Sequence, residues 1–245
     1  MANKDWVRVI VQSPVIDKLV KAVPDYSLIG ESVLFTKEQF PWAETLEANW
    51  QVIRQELDQI LEHTQALPNF QDIMPRQQEI TQDDGWKTYF FCAFGFVAHK
   101  NCQRCPQTWE LLRTIPDLKV AFFSILAPGK HIPEHYGKHK GLIRYHLALR
   151  VPEPRSQCQI RIADHTLTWE EGKSLIFDDT YPHEVWNNTD GYRVVLFLDI
   201  ARPMRFPLSL INWSASQILR VSPLVKTAKQ NHKAWEQRFE SNMKP

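Results

Sequence analysis

Cysteine is scarce in this chain, and the four present, Cys92, Cys102, Cys105 and Cys158, cannot staple 245 residues together. So few argue against a disulfide scaffold and fit a reducing compartment. The sequons Asn187-Asn188-Thr189 and Asn212-Trp213-Ser214 are then without consequence. The Cys102-Gln103-Arg104-Cys105 spacing lacks the second pair of a zinc ribbon and the βαβ frame of a thioredoxin-like site, so it reads as ordinary thiols in a turn before a helix. Long apolar runs are missing too. Val7 to Ile16 is too short to span a bilayer, is interrupted by Arg8, Gln12 and Pro14, and is followed by no small-residue cleavage pattern. The expectation is an unprocessed, cytoplasmic protein. A formal net charge of +1 excludes global attraction to nucleic acid or to an acidic membrane, and no nucleic-acid partner is expected. No internal repeat or low-complexity tract is present.

What is present suffices for one large core. With 43% hydrophobic and 23% charged residues, the chain can form a single domain that holds an internal cavity. Residues 1–85 read as an N-terminal helical region. Within it Leu46, Trp50, Ile53, Leu57, Ile60 and Leu61 recur at spacings of three and four, which predicts one long amphipathic helix after Pro41. Residues 86–203 read as the core: a strand over Lys87–Phe96, a short helix over Gln107–Thr114, then strands over Val120–Leu126, Leu142–Val151, Gln157–Ile162, Ser174–Phe177 and Tyr192–Ile200. Residues 204–245 return to helix, with Leu210, Trp213 and Gln217 on one side and a break at Pro223. The fold class is mainly β with flanking helices, a barrel or jelly roll.

Strand parity places the chemistry. Arg144 and His146 are two apart and share a face, while Leu147 and Leu149 point the other way. Polar neighbours on a strand face are costly unless that face lines a wet or liganded cavity. Arg193 shares a face with Val195 and Phe197, so its guanidinium needs a buried carboxylate or phosphate. A ligand and a core partner among Asp178, Asp179 and Asp199 both remain open. Of nine histidines, His131, His139 and His165 lie in polar, loop-like contexts and stay unassigned. His135 in PGKHIPEHYG and His183 in IFDDTYPHEVW adjoin strand-like runs. Two such histidines followed by a basic residue in the next strand suggest a mononuclear iron centre beside an anionic co-substrate.

Phe123 to Pro203 resembles the aspartyl/asparaginyl β-hydroxylase family of 2-oxoglutarate-dependent oxygenases. The blocks that carry the resemblance are SILAPGKH with His135 and Gly137, RYHLAL, WEEGKSLIFDD with HEVW, and RVVLFLDIARP, in that order. Weaker likeness reaches upstream through EANW, DGW and PQT. The resemblance implies a double-stranded β-helix, iron(II) on His135 and His183, and 2-oxoglutarate held by Ser124, Arg144, His146 and Arg193, with dioxygen as the oxidant. It places Gly137 where a facial triad would carry a carboxylate, as in the animal members, where water fills that position. Asp179 is then the candidate to hold that water or orient an imidazole. Gly137→Asp is expected to retain metal with reduced turnover.

Substrate choice is the open part. An aspartyl, asparaginyl or related amino-acid-like group, peptidyl or small, is the leading expectation. A lipid acyl chain at the cytoplasmic membrane face is the alternative, and a non-enzymatic metal-binding barrel is a third. Arg202, Arg205, Phe206, Leu208, Ile211 and Trp213 combine basic and apolar character and are the basis for weak peripheral membrane contact by the C-terminal tail. The ordinary fate of an amphipathic helix, packing on its own core, stands against that contact.

Overall fold

Alternating apolar residues in short β-branched and aromatic runs build two facing antiparallel sheets, described by a computed structural model over residues 21–243. Val7 to Ile16 lie outside the described residues. The strands are β1 (Leu34–Phe35), β2 (Trp86–Ala93), β3 (Phe96–Val97), β4 (Leu118–Leu126), β5 (His131–His135), β6 (Leu142–Arg150), β7 (Cys158–Ile162), β8 (His165–Thr168), β9 (Ser174–Phe177), β10 (His183–Asn187) and β11 (Arg193–Ala201). One sheet has the order β1-β9-β6-β11-β4-β2-β3, the other β5-β10-β7-β8. From β4 onward the chain therefore deals its strands between two sheets, which defines a double-stranded β-helix, or jelly roll.

The helices are α1 (Trp42–Ala48), α2 (Trp50–Leu61), α3 (Phe70–Ile73), α4 (His99–Arg104), α5 (Pro106–Arg113), α6 (Leu208–Val221) and α7 (Pro223–Met243). The single helix expected after Pro41 is two. Asn49 leaves the helical region at φ −107° and ψ 13°, and its side-chain amide turns back onto the Thr45 carbonyl at 2.8 Å. Leu46, Ile53, Leu57 and Ile60 are buried as their spacing predicts. α2 packs against β6. Its buried Glu56 accepts hydrogen bonds from the Gln107 and Thr108 N–H groups at the start of α5, where an anion complements the helix dipole.

Several local expectations change. Lys87–Phe96 is a hairpin rather than one strand, because Phe94 and Gly95 turn the chain at φ 45° and 83°. His131 and His165 lie on strands of the smaller sheet, whose charged residues obscure the β pattern. Cys102 and Cys105 sit in and just after α4, buried and unpaired, and burial pushes the Cys102 thiol up to about 12.

Arg202 is not a surface cation. Its guanidinium is fully buried, pairs with Asp178, and donates to the Lys140 and Gly30 carbonyls at 2.9 and 3.1 Å. Asp178 also accepts from the Thr180 N–H and hydroxyl. This clasp joins the end of β11 to the β9–β10 and β5–β6 loops. Removing one partner leaves the other charge buried, so Asp178→Asn is expected to cost about 3–5 kcal/mol, read as a fall in the denaturant midpoint. A shift below about 1 kcal/mol, the surface-pair range, would remove the clasp from the account.

Candidate active site

β5 and β10 pair with His135 directly opposite His183, and the two rings lie 4.2 Å apart between centroids. Each imidazole is oriented by its own chain. His135 Nδ1 donates to the Pro133 carbonyl at 2.8 Å and His183 Nδ1 to the Tyr181 carbonyl at 2.9 Å. That tautomer leaves both Nε2 lone pairs free, the arrangement of metal-binding imidazoles. Burial lowers the pKa of both, taking His183 down to about 3 with further help from His135 and Arg144. Two neutral, oriented imidazoles fit an iron ion of the kind the resemblance implies. Among the described residues no cluster of three or more His, Cys, Asp or Glu side chains suited to a metal occurs, so the protein's own donors there are two.

Gly137 has a steric reason. A Cβ at this position would fall on the Asp179 carboxylate, and the Gly137 N–H donates to the Asp179 carbonyl at 2.6 Å. The space beside the first histidine is therefore taken by Asp179, delivered from the β9–β10 loop. Arg144 holds that carboxylate at 2.8 Å and Asp199 at 3.0 Å, and its guanidinium lies 4.4 Å from the Phe197 ring centre. One cation shared by two carboxylates leaves Asp179 short of charge. Burial holds its carboxyl up at about 6, against the pull of Arg144 and with the push of Asp199. Arg144 thus differs from its expected role: its guanidinium is engaged by two carboxylates and faces a cavity rather than standing free for a co-substrate.

Arg193 is free. On the inner face of the larger sheet the register aligns Arg193 with Leu126 and Trp86, Val195 with Ser124 and Thr88, and Phe197 with His146, Phe122 and Phe90. Arg193 is 2% exposed, and its Nε and Nη1 have no hydrogen-bond partner among the described residues. The carboxylates considered as core partners pair elsewhere, Asp178 with Arg202 and Asp179 and Asp199 with Arg144. Its guanidinium stacks 4.6 Å from the Trp169 ring centre, and burial pulls its pKa down to about 10, still charged at neutral pH.

Both His146 ring nitrogens, Trp169 Nε1 and Thr88 Oγ1 are also buried without partners. Ser124 accepts from Trp86 Nε1 at 3.0 Å. A wall of rings joins the two ends: His183 to Phe177 at 5.6 Å, Phe177 to His146 at 5.3 Å, and His146 to Trp169 at 6.2 Å. Orphaned buried donors grouped beside a lone guanidinium fit an anionic ligand. Trp169 and Thr88 had no assigned role in the sequence. Trp169 stands in the WEEGK block, but nothing local showed that it would meet Arg193.

Beside His135 lies a cavity of about 290 Å³. His135, Gly137, Arg144 and Asp179 line one part of it, and Phe70, Phe90, Phe122 and Phe197 form an aromatic wall. It continues past Met74 and Ile80 to Leu224, Val225 and Ala228 on α7.

The jelly roll thus carries two facing imidazoles on its smaller sheet and a lone buried guanidinium on its larger one. The chain belongs to the aspartyl/asparaginyl beta-hydroxylase family, whose sequence profile matches residues 47–203. It is 42% identical over 214 residues to the ornithine lipid ester-linked acyl 2-hydroxylase of Rhizobium tropici, covering 87% of this chain and 76% of that protein. It is 32% identical over 168 residues to the Homo sapiens aspartyl/asparaginyl beta-hydroxylase, covering 66% of this chain. There it spans 21% of the relative's length. A Pseudomonas putida prolyl-4-hydroxylase crystal structure aligns over 76% of this chain and 97% of that one, at 14% identity and a TM-score of 0.38.

Two predictions follow from the geometry. Gly137→Asp places a second carboxylate on Asp179, which adds a stability loss to the metal retention and reduced turnover expected from sequence, and overpacking of this kind costs roughly 1–3 kcal/mol. Thermal unfolding that matches the parent would show that Asp179 can move aside. The second concerns pH. His183, His146 and His232 are each held neutral chiefly by burial, His232 with a pKa of about 4. As the pH falls below about 6.5 the unfolded chain takes up protons that the fold refuses, so stability present above 6.5 is lost on acidification. Asp179, raised, works in the opposite sense below about 6 but is one group against three. The metal-free protein should lose at least about 1.4 kcal/mol per pH unit between pH 6 and 5, read from urea midpoints. A flat profile would contradict the buried neutral imidazoles.

Proposed function

We propose that this protein is an iron(II)- and 2-oxoglutarate-dependent hydroxylase whose substrate is the acyl chain of a lipid. The observation that carries the substrate class is the cavity: it meets His135 and Asp179 at one part and is otherwise walled chiefly by aromatic and aliphatic side chains. A charged aspartyl side chain would lose its hydration along that wall, whereas a hydrocarbon chain gains from the same burial. The name of the Rhizobium tropici relative, an acyl hydroxylase, supports the same choice. The lipid alternative thus moves ahead of the amino-acid-like substrate that sequence reasoning preferred.

His135 and His183 would hold the metal through Nε2, and Arg193 would clamp the distal carboxylate of 2-oxoglutarate with Trp169 against its face. Ser124, Thr88 and His146 supply further polar groups in that pocket. When bound, iron and 2-oxoglutarate with dioxygen supply the oxidising power that inserts oxygen into an unactivated carbon–hydrogen bond. The protein positions the acyl chain along the aromatic wall and keeps water from the reacting end. Asp179, fixed by Arg144 in the space beside Gly137, would hold a water molecule next to the metal. The cytoplasmic setting expected from the scarce cysteines suits this co-substrate.

The direct test supplies iron(II), 2-oxoglutarate and detergent-dispersed acylated lipid, and follows succinate release together with the gain of one oxygen atom by the lipid. Succinate release without lipid oxidation would return the amino-acid-like substrate to first place. His135→Ala and His183→Ala should each abolish tight iron binding, since only one imidazole would remain; full occupancy in either would remove the metal assignment. Arg193→Leu removes a charge-assisted contact worth about 2–5 kcal/mol, so 2-oxoglutarate affinity should fall roughly 30-fold or more. Since among the described residues no carboxylate pairs with Arg193, its loss should leave thermal stability unchanged or raised. Anaerobic titration of 2-oxoglutarate into the iron-loaded variant, followed by the metal-to-ligand absorption band, decides the point. Unchanged affinity takes Arg193 out of the pocket.

A further inference from the structure

One face of the molecule has its polarity reversed. α6 packs inward through Leu208, Asn212 and Ser216, and Asn212 donates to the Gly141 carbonyl at 2.9 Å in the loop between β5 and β6. The outward side is the apolar one. Leu210, Ile211, Trp213, Ile218 and Val221 are exposed, with Phe206 just ahead of the helix 75% exposed. With Leu28 they make up all but one of the large exposed hydrophobics among the described residues, the remaining one being Tyr136. A helix that hides its polar side and shows its apolar side is shaped for a neighbour, not for water.

The charge around it is one-sided. Between Asp199 and Glu236 the sequence has no aspartate or glutamate and six basic residues. Arg202 is buried in its clasp, while Arg205, Arg220, Lys226, Lys229 and Lys233 are exposed. In a chain of net charge +1 this is a local excess, and it complements an anionic surface. The face also adjoins the cavity. The Arg220 side chain lies over Gly95, between the cavity residues Phe94 and Phe96, and Leu224, Val225 and Ala228 on the next helix line the same cavity.

We propose that Phe206 and the outward side of α6 form a docking face for an anionic lipid bilayer. Docking seats the cavity mouth at the lipid surface, so that an acyl chain enters between α7 and the aromatic wall without crossing bulk water. The apolar side chains enter the headgroup–acyl boundary, and the flanking lysines and arginines meet lipid phosphates. The purpose of the face rests on the acyl-chain reading above; its geometry does not.

The test floats the full-length protein with vesicles of phosphatidylglycerol and phosphatidylcholine in equal parts, and with phosphatidylcholine alone. The protein should float with the anionic vesicles, less with the neutral ones, and the excess on the anionic vesicles should shrink as salt rises. Trp213→Gln combined with Ile218→Gln should weaken partition by about tenfold or more, the scale of removing large buried apolar side chains. Turnover of micelle-dispersed lipid by that variant should match the parent, because neither residue lines the cavity. A parent that stays in solution with anionic vesicles, or a double variant that partitions like the parent, overturns the proposal. So does a concentration-dependent dimer in sedimentation that the double variant loses, without vesicle binding, since a second copy then covers the face. Vesicle binding that persists while the parent oxidises no micellar lipid supports the docking face and removes the acyl substrate. Oxidation of micellar lipid without vesicle binding does the reverse.

Discussion

Arg193 and Arg202 are buried and Arg144 lines the cavity, and three nearby carboxylates are divided unequally among these guanidiniums. Arg202 takes Asp178, Arg144 takes Asp179 and Asp199, and Arg193 receives none. A buried cation without a partner is among the least tolerable features of a protein interior, so its persistence marks a place where an anion belongs. The same division keeps the site in shape. Asp178 and Asp179 are neighbours on the β9–β10 loop, one engaged in the clasp and the other beside Gly137. The turn leading into His183 is thereby anchored on two sides.

The two ends of the candidate site depend on different sheets. His135 and His183 meet because β5 and β10 pair in the smaller sheet, while Arg193, Ser124 and His146 align because β11 lies between β4 and β6 in the larger one. A one-residue slip in either register would turn the functional side chains to the opposite face. The aromatic residues between them, Phe177 and Trp169, fill the gap without offering charges that would compete for Arg193. The wall is therefore apolar except where a ligand would need it not to be.

Outside the jelly roll, the helices serve both packing and access. α2 covers β6 and caps α5 through Glu56, whereas α7 borders the cavity through Leu224, Val225 and Ala228. Asn212 ties α6 to Gly141, a few residues beyond Gly137 in the loop that follows β5.

Most strands read from sequence belong to the larger sheet, where Ser174–Phe177 was placed to the residue and Arg193 was given the face of Val195 and Phe197, while Gln157–Ile162 proved to be β7 of the smaller sheet. Those strands are buried on both faces and read as near-continuous apolar runs bounded by turns. The short strands carrying His131, His135, His165 and His183 were harder, since charged residues interrupt their pattern. The fixed-spacing blocks around His135, His183 and Arg193 identified the family without any geometry. What they could not decide was pairing. Whether Arg193 met an aspartate or stood free depended on Arg144 and Arg202 claiming the carboxylates first, a competition between residues up to 58 positions apart. The outward face of α6 was equally undetermined. Helical periodicity reports that a helix has an apolar side, but only the packing of Asn212 and Ser216 against the body of the protein decided which side met water.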